Sequence, residues 1–266
     1  MHSSSWRSIG LIRAPANIQM AIDYWLFEQH RAGKLPPVLR FYTWDPLAIS
    51  LGYHQRRWPD GWRQLSWHGQ PIDLVRRPTG GRAVLHQGDL TYMVVMSELG
   101  ANSCAIAKSS RLAAYETICQ FLIEGWRSLG VELHYGRAGR GYAKTPNCFA
   151  TATGADLVLP NGAKFIGSAQ LKRGGAILQH GSILLNPSVE LFSRVFDPQA
   201  SQLIGGVHLL PDSLPRDVSK LIEMAIASLL CAASRCFEVE IHHQPLTREE
   251  WQHIKTDALN LPVFAV

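Results

Sequence analysis

The sequence predicts an α+β fold, in which one mixed, mainly antiparallel β-sheet is packed against α-helices. Runs of β-branched and aromatic residues are joined by tight glycine turns, as in DLVRRPTGGRAVLHQGDLTY, and strands joined in this way pair antiparallel. Helical patterns separate the groups of strands. No linker divides the 266 residues, of which 46% are hydrophobic. We therefore predict a single domain spanning residues 1–266.

The first elements follow from local signals. Asn17 is expected to cap a helix through IQMAIDYWLFEQHRAG, which Gly33 ends. Two strands, VLRFYTW and LAISLGY, are predicted on either side of Pro46. The segment DLVRRPTGGRAVLHQGDLTYMVVMS then predicts three strands separated by two turns.

The longest helical pattern covers residues 106–129 and ends at Gly130. A strand at VELHY follows it, and the glycine-rich loop GRAGRGYAKTPN leads into Cys148. DLVLPNGAKFIGSAQ predicts two strands around a Pro-Asn-Gly turn, and RGG joins the second to AILQHGSILLN. A helix over 216–235, a strand near FEVEI and a helix from Thr247 complete the prediction.

The composition excludes several classes of protein. The five cysteines are an odd number and contain no C-x-x-C pair, which argues against a disulfide framework and against a zinc site. The N-terminus has no secretory pattern, and no apolar stretch is long enough for a membrane span. We expect free thiols and a cytoplasmic protein that is not bound to membranes.

A net charge of +5 is compatible with nucleic acid, an anionic membrane or an acidic partner. The best candidate for nucleic-acid binding is QRRWPDGWRQLSWHGQ, in which Arg56, Arg57 and Arg63 alternate with tryptophans. We favour a surface segment whose tryptophans pack onto the domain while its arginines stay solvated. No nucleic-acid partner is therefore expected.

Polar side chains recur in two predicted strands. In KFIGSAQL, alternation places one set of residues on a polar face: Lys164, Ile166, Ser168 and Gln170. This face is either simply solvated or directed at a ligand. In the next strand, Gln179, His180 and Ser182 lie among apolar residues, where polar groups usually have a partner or a substrate.

The turn RRPTGGRAVLHQGDLTY contains paired glycines, which allow a sharp turn and a close approach to a ligand. Its arginines, Arg76, Arg77 and Arg82, offer charge for a carboxylate or a phosphate. A hairpin with solvated arginines explains the same pattern equally well. His86 and Asp89 are similarly open to a structural or a catalytic interpretation.

These motifs carry a family resemblance. RFYTWDPLAISLGYHQ, RRPTGGRAVLHQGDLTY and KFIGSAQLKRGGAILQHGSILL, in this order after NIQMAIDYWLF, resemble the lipoate and biotin protein ligase superfamily over roughly residues 15–190. The resemblance implies a class II biotin/lipoate ligase-like catalytic domain, whose members attach lipoyl, octanoyl or biotinyl groups to a carrier lysine. It also implies that substrate is bound by Arg77, Thr79, Gly80, Gly81, His86, Gly167, Ser168, Ala169, Gln170, His180 and Gly181.

Within the family, two features favour an ATP-independent acyltransferase over an ATP-using ligase. Arg82 stands where family ligases tend to have a third glycine. Cys148, followed by Phe149 and later by Lys164 and G-S-A-Q, resembles the octanoyltransferases that use a cysteine nucleophile. The resemblance implies that Cys148 is the nucleophile and that Lys164 is its partner. The other cysteines, Cys104, Cys119, Cys231 and Cys236, are explained by packing.

The chemistry of these residue types agrees with that role. A thiolate takes an octanoyl group from a thioester at little cost, and a neighbouring ammonium favours the thiolate. Lys164 also suits binding of the oxyanion, and His86 is a lesser candidate for moving a proton of the incoming amine. Neither ATP nor a metal or other cofactor is then expected.

The resemblance implies two protein partners. The donor is an acidic octanoyl-acyl carrier protein, which a basic surface would attract. The acceptor is a lipoyl carrier, such as a glycine-cleavage carrier protein (H protein) or the lipoyl domain of a dehydrogenase. We expect a monomer. Two alternatives stay open, an ATP-dependent lipoate ligase in which Cys148 is incidental, and a non-catalytic binding protein that has kept the fold.

Overall fold

The computed structural model describes residues 4–98, 111–136, 156–196 and 206–260. Within these ranges the strands, in chain order, are β1 (Ser4–Ala14), β2 (Val38–Trp44), β3 (Ala48–Leu51), β4 (Ser66–Trp67), β5 (Gln70–Pro71), β6 (Asp73–Arg76), β7 (Val84–His86), β8 (Asp89–Ser97), β9 (His134–Tyr135), β10 (Asp156–Val158), β11 (Lys164–Arg173), β12 (Ala176–Leu184) and β13 (Val239–His243). The helices are α1 (Ala16–Arg31), α2 (Arg111–Ser128), α3 (Val189–Val195), α4 (Val218–Phe237) and α5 (Arg248–Asn260).

Eight of these strands form one sheet in the order β13-β1-β2-β8-β12-β11-β10-β9. β1 is parallel to both of its neighbours, and the remaining pairs from β2 to β9 are antiparallel. A smaller sheet, β6-β3-β7, stands beside it. The predicted fold class, a mixed and mainly antiparallel sheet with helices, is confirmed.

The large sheet is buried on both faces. One face contributes Phe41, Tyr92 and Ile177 to a core that also contains Phe121 of α2 and Leu229 of α4. On the opposite face, Tyr42, Met93 and Leu178 pack with residues of α1, and Trp251 of α5 packs against the same cluster. A third cluster lies between the small sheet and α3. Burial on both faces explains the continuous apolar run at residues 92–96 of β8.

Several local predictions are corrected. α1 begins at Ala16 after Pro15, and Asn17 lies inside the helix, where its side chain accepts a hydrogen bond from the backbone N–H of Ile18. Asn17 is therefore not the cap; proline is well suited to the entry of a helix because it has no N–H to leave unpaired. The sequence patterns also missed β1, which owes its place to pairing with two distant strands rather than to a neighbouring hairpin.

The segment rich in arginine and tryptophan folds as expected. Trp62 is buried in the third cluster, and Trp58 and Trp67 pack against it. Arg56, Arg57 and Arg63 are exposed. Among the residues that the structure describes, no helix is long and apolar enough to cross a membrane.

Candidate active site

A cavity of about 220 Å³ lies between the large sheet and the small one. Its floor is the face of the large sheet that also packs on α1. One row of paired residues crosses that floor from β10 to β8: Asp156, Gly167, Ser182 and Thr91. Two residues further along the strands, a second row contains Ala169, His180 and Met93. The cavity thus has one end at the first row, which Tyr42 of β2 continues by pairing with Thr91, and another towards α1, where Met20 lines it.

The turn between β6 and β7 forms the roof, and Arg77 holds that turn in shape. The buried Arg77 guanidinium donates to the carbonyls of Ser50 (2.8 Å), Gly80 (2.7 Å) and Arg82 (2.7 Å). The sequence suggested that the charge of Arg77 could bind a carboxylate or a phosphate of a ligand. In the structure these donors are engaged by the turn itself, so the contribution that we see is to fix Gly80 and Gly81 beside the cavity.

Glycine is required at two places in this roof. Gly81 has φ of 93°, in the left-handed region that side chains rarely adopt. A Cβ on Gly52 would lie 1.8 Å from the carbonyl oxygen of Gly81. The two backbone segments can therefore pass this closely only because Gly52 has no side chain. Gly80, by contrast, has open space around the position of a Cβ.

Lys164 begins β11 and is almost completely buried. Its Nζ lies 2.9 Å from Oδ1 of Asp156, which is equally buried and lines the first row of the cavity. A buried ion pair requires a favourable partner for each charge, because both are removed from water. Lys164 therefore does not lie on a solvated strand face, which was one of the two interpretations of the alternating pattern. Its ammonium is fixed beside the cavity by Asp156.

His86 is held at the same end of the cavity. Its Nδ1 lies 2.9 Å from Oδ2 of Asp89, and its Nε2 lies 2.9 Å from Oγ of Ser50. The same Asp89 oxygen accepts hydrogen bonds from the hydroxyls of Thr91 and Ser182 in the first row. The ring also stacks on Trp44, with centroids 3.9 Å apart. Ser50 and His86 both line the cavity.

His180 belongs to a second network at the α1 end. Its Nε2 lies 2.6 Å from Oγ1 of Thr79, and its Nδ1 lies 2.8 Å from Oδ2 of Asp23 on α1. Asp23 also accepts from the Tyr42 hydroxyl and forms an ion pair with Arg40. Burial lowers the pKa of His180, which the contact with Asp23 opposes. Burial also raises the pKa of Tyr42 well above its usual value, and Asp23 acts in the same direction.

A third set of hydrogen bonds supports the β11 segment GSAQ from the other face of the sheet. The Tyr92 hydroxyl lies 2.7 Å from Oγ of Ser168, and Gln179 donates to that same hydroxyl and to Sγ of Cys119. Gln170 in turn donates to Oε1 of Gln179. Gly181 completes this packing, because a Cβ there would lie 2.5 Å from the Tyr92 ring. Ser168 and Gln170 thus have partners within the protein.

The buried Cys119 gives a testable contrast to a catalytic thiol. Burial raises the pKa of Cys119 to about 12, so at pH 8 the thiol stays protonated and shielded from solvent. We expect iodoacetamide to leave Cys119 unmodified in the folded protein and to modify it after unfolding, as followed by peptide mass spectrometry. Exposed Cys231 serves as the positive control. Modification of Cys119 at the same rate as Cys231 in the folded protein would contradict this.

The structure brings together most of the residues that the sequence singled out. Those that line the cavity are Arg77, Gly80, Gly81, His86, Gly167, Ser168, Ala169, Gln170, His180 and Gly181. Thr79 is hydrogen-bonded to His180, which lines the cavity, and Lys164 forms an ion pair with Asp156, which also lines it. Cys148 lies outside the described residues. Within the described ranges, no group of three or more histidine, cysteine or acidic residues is arranged to hold a metal ion.

Three residues of the site, Asp23, Ser50 and Asp156, were not predicted from the sequence. Asp23 had a usable signal, since it falls on the apolar stripe of a helix, where a carboxylate requires a partner. Asp156 begins an apolar strand, and this position was the only sequence signal that pointed to it. Ser50 had none, because a serine in a short strand is unremarkable.

The family described as the lipoyl protein ligase A/B catalytic domain matches residues 15–226. An octanoyltransferase LipM from Kyrpidia tusciae is 40% identical over 198 residues, which cover 72% of this chain and 70% of that one. The corresponding protein of Lysinibacillus sphaericus is 29% identical over 265 residues, 95% of this chain and 94% of the other.

Solved structures agree in fold. A lipoate-protein ligase A with bound ATP superimposes with a TM-score of 0.77 at 21% identity, covering 96% of this chain and 95% of that one. A bipartite lipoate protein ligase from Thermoplasma acidophilum, described together with its E2 lipoyl domain, gives a TM-score of 0.73 at 21% identity, covering 97% and 93%. At this identity the likeness concerns the fold alone.

Proposed function

The chain belongs to the lipoyl protein ligase A/B catalytic-domain family, and from that premise we propose that it is an octanoyltransferase of lipoate biosynthesis. It would move an octanoyl group from octanoyl-acyl carrier protein to the lysine of a lipoyl carrier. The observation that carries this proposal is the buried Lys164–Asp156 pair beside a partly apolar cavity. A relative that is 40% identical carries the name octanoyltransferase LipM, which supports the same reaction.

In the first half-reaction, the Cys148 thiolate attacks the carbonyl of the octanoyl thioester. A C–S bond to Cys148 forms, the C–S bond to the carrier breaks, and the carrier leaves as a thiolate that takes its proton from water. The Lys164 ammonium would stabilise the thiolate before attack and the oxyanion during it. Asp156 keeps that ammonium in one position, so its orientation needs no rearrangement during the reaction.

The octanoyl chain would extend from this end towards α1. Met20 lines the cavity there, and Val84 contributes from the roof. Each methylene removed from water contributes about 0.8 kcal/mol. The Gly80–Gly81 turn and the GSAQ segment of β11 would enclose the chain from opposite sides, which is the substrate-binding role proposed for these residues.

In the second half-reaction, the lysine amine of the acceptor attacks the Cys148 thioester, an amide forms, and the thiolate leaves. An amide is more stable than a thioester, so no ATP enters the scheme. The net charge of +5 would favour an acidic donor carrier by electrostatic attraction. The acceptor would be a glycine-cleavage carrier protein or the lipoyl domain of a dehydrogenase.

We also propose that the whole chain acts as one catalytic unit, as a monomer in the cytoplasm. The C-terminal elements support the single catalytic unit, because β13 extends the large sheet and Arg7 of β1 pairs with Glu250 of α5 at 2.7 Å. Residues beyond the family match would therefore stabilise the same domain.

The test is the intact mass of the protein after incubation with octanoyl-acyl carrier protein in the absence of ATP. Wild type is expected to gain one octanoyl group that hydroxylamine removes, and Cys148→Ala is expected to gain none. Cys231→Ala is the matched control and should behave as wild type, because Cys231 is exposed on α4. Product formed only from free octanoate and ATP, with full activity in Cys148→Ala, would instead indicate a ligase.

A further inference from the structure

A second cavity, of about 350 Å³, lies beside the cavity of the candidate active site. One wall is the segment after β3, which contributes Tyr53, and the other is the end of β11, which contributes Lys172 and Arg173. We call this cavity the basic cleft. Gly80 and Gln170 line both cavities and form the boundary between them. The basic cleft therefore adjoins the space in which substrate is expected to bind.

The first wall is held in place and is positively charged. The Arg76 guanidinium donates to the carbonyls of Gly52 (3.0 Å) and Gln55 (2.8 Å), which fixes the chain between them. Arg56 and Arg57 follow directly and are exposed. Burial lowers the pKa of Arg76, and the charge of Arg56 acts in the same direction. Arg56 and Arg76 thus lie close enough to reinforce each other's positive potential.

The opposite wall carries further cations. Arg173 is hydrogen-bonded to the Tyr24 hydroxyl at 3.2 Å and forms an ion pair with Glu28. Arg31 pairs with the same Glu28 at 2.6 Å. One carboxylate is thus shared by two arginines, and Lys172 adds another positive charge. In the part of the chain that the structure describes, both walls of the basic cleft therefore have an excess of cations.

Tyr53 adds an aromatic contact to this charged surface. It is 45% exposed, and its ring packs edge-on against His54, with centroids 4.9 Å apart. Its backbone N–H donates to the Thr79 carbonyl of the roof at 2.8 Å. Tyrosine and arginine are the residue types enriched at the energetic centres of protein interfaces. A tyrosine that is already held in place also loses little conformational freedom when a partner covers it.

The surroundings of the basic cleft favour a protein partner over nucleic acid. Sites for single-stranded nucleic acid follow the strand over at least about four nucleotides and use aromatic side chains on which bases stack. The cleft is compact, and the neighbouring tryptophans are engaged within the protein. Arg63 and Arg76 lie beside the Trp58 ring, 5.7 and 5.4 Å from its centre, and Trp62 is buried. A few carboxylates on a folded surface fit such a cleft better.

The distance between the two cavities fits one small domain. Along β11 the first cavity is lined by residues from Gly167 to Gln170, and the basic cleft by residues from Gln170 to Arg173. At about 3.3 Å per residue, Lys172 lies about 17 Å from Gly167. A domain of about 100 residues has a radius of gyration of about 13 Å and is thus roughly 30 Å across. A carrier domain that docks on the basic cleft would therefore extend over both cavities.

We propose that the basic cleft docks an acidic surface of the donor acyl carrier protein. Arg56, Arg57, Lys172 and Arg173 would face carboxylates of the carrier, and Tyr53 would pack against it. The inference rests on the proposed function for the identity of the carrier. Opposite charges on the two proteins would speed their association and orient the carrier. None of these side chains is assigned to the chemical step, so docking can be measured without acyl transfer.

The test is the affinity for acyl carrier protein without its octanoyl group, measured by isothermal titration calorimetry. The double variant Arg56→Glu with Arg57→Glu is expected to raise Kd at least tenfold at about 0.05 M NaCl and less than about threefold at about 0.3 M, because salt screens exposed charges. Tyr53→Ala is expected to raise Kd about tenfold at both salt concentrations, because salt does not screen the loss of packing.

Arg127→Glu with Lys220→Glu is the matched control. It changes the net charge by the same amount, but both residues are exposed on helices that pack on the opposite face of the large sheet, α2 and α4. Its Kd is expected to stay within about twofold of wild type. An equal loss of affinity in the two double variants would show that only net charge matters and would overturn the docking site.

Other outcomes test the partner and separate the two proposals. If Arg56→Glu with Arg57→Glu weakens binding of single-stranded DNA or of a lipoyl domain more than binding of the carrier, the assignment of the donor is overturned. If the carrier does not bind wild type but the octanoyl adduct still forms, the docking site alone is overturned. Binding with the expected losses, but no adduct on wild type, would support the docking site and overturn the proposed function.

Discussion

Lys164→Ala is expected to slow octanoylation of Cys148 by about 10²- to 10³-fold, the cost typical of removing one donor that stabilises an oxyanion. The ammonium is buried and held by Asp156, so water cannot readily replace its charge. Single-turnover acylation by octanoyl-acyl carrier protein, followed by intact mass, measures the effect. Lys164→Arg should recover little, because a guanidinium is wider and has a different donor geometry from an ammonium.

Lys172→Ala provides the control on the same strand. Lys172 also lies on β11 but is partly exposed, and its replacement should leave acylation unchanged. The thermal midpoint is measured for each variant, since Lys164→Ala leaves the Asp156 carboxylate buried without its ammonium. Adding Asp156→Asn to Lys164→Ala should recover stability without recovering acylation. Acylation by Lys164→Ala at the wild-type rate would remove Lys164 from the mechanism.

The fold was predictable to the extent that local signals determine it. Glycine turns and alternation were sufficient for the β11–β12 hairpin, because its two strands are neighbours in sequence. They also located β6, β7 and β8, but the expected antiparallel pairing of these strands with one another is wrong, since β6 and β7 pair with β3, and β8 pairs with β2 and β12. β1 escaped prediction because both of its partners, β2 and β13, are reached through parallel crossovers. Pairing of that kind depends on the whole sheet and leaves no local signal in the sequence.

The candidate site shows the same division. The residues of the glycine turn and of GSAQ are adjacent in sequence, so a motif reveals them. Asp156 and Asp89 become informative only once the sheet brings them beside Lys164 and His86. Arg77 illustrates the opposite case. Its charge suggested an anion site, but its hydrogen bonds to the carbonyls of Gly80 and Arg82 hold the turn in shape. A motif therefore identifies the residue types, and only the packing shows what each of them contacts.

Asp23 connects the site to the core and is the position where a substitution should cost the most stability. It lies on α1 with no exposed surface, accepts from His180 and Tyr42, and pairs with Arg40 at 3.2 Å. Arg40 is itself fully buried, and it donates to Gln19 of the same helix. Loss of the carboxylate would leave the buried Arg40 guanidinium without its counter-charge and His180 without its acceptor.

Asp23→Ala is therefore expected to destabilise the protein by about 3–5 kcal/mol, which corresponds to a fall in thermal midpoint on the order of 10 °C for a domain of this size. Differential scanning calorimetry at pH 7 measures the change. The matched control is Asp212→Ala, which breaks an aspartate–arginine pair with Arg216 on the surface and should leave the midpoint unchanged. The double variant Asp23→Leu with Arg40→Met removes both charges together and should lose less stability than Asp23→Ala alone, because no unpaired charge stays buried. Equal midpoints for Asp23→Ala and Asp212→Ala would show that the buried pair contributes no more than the exposed one.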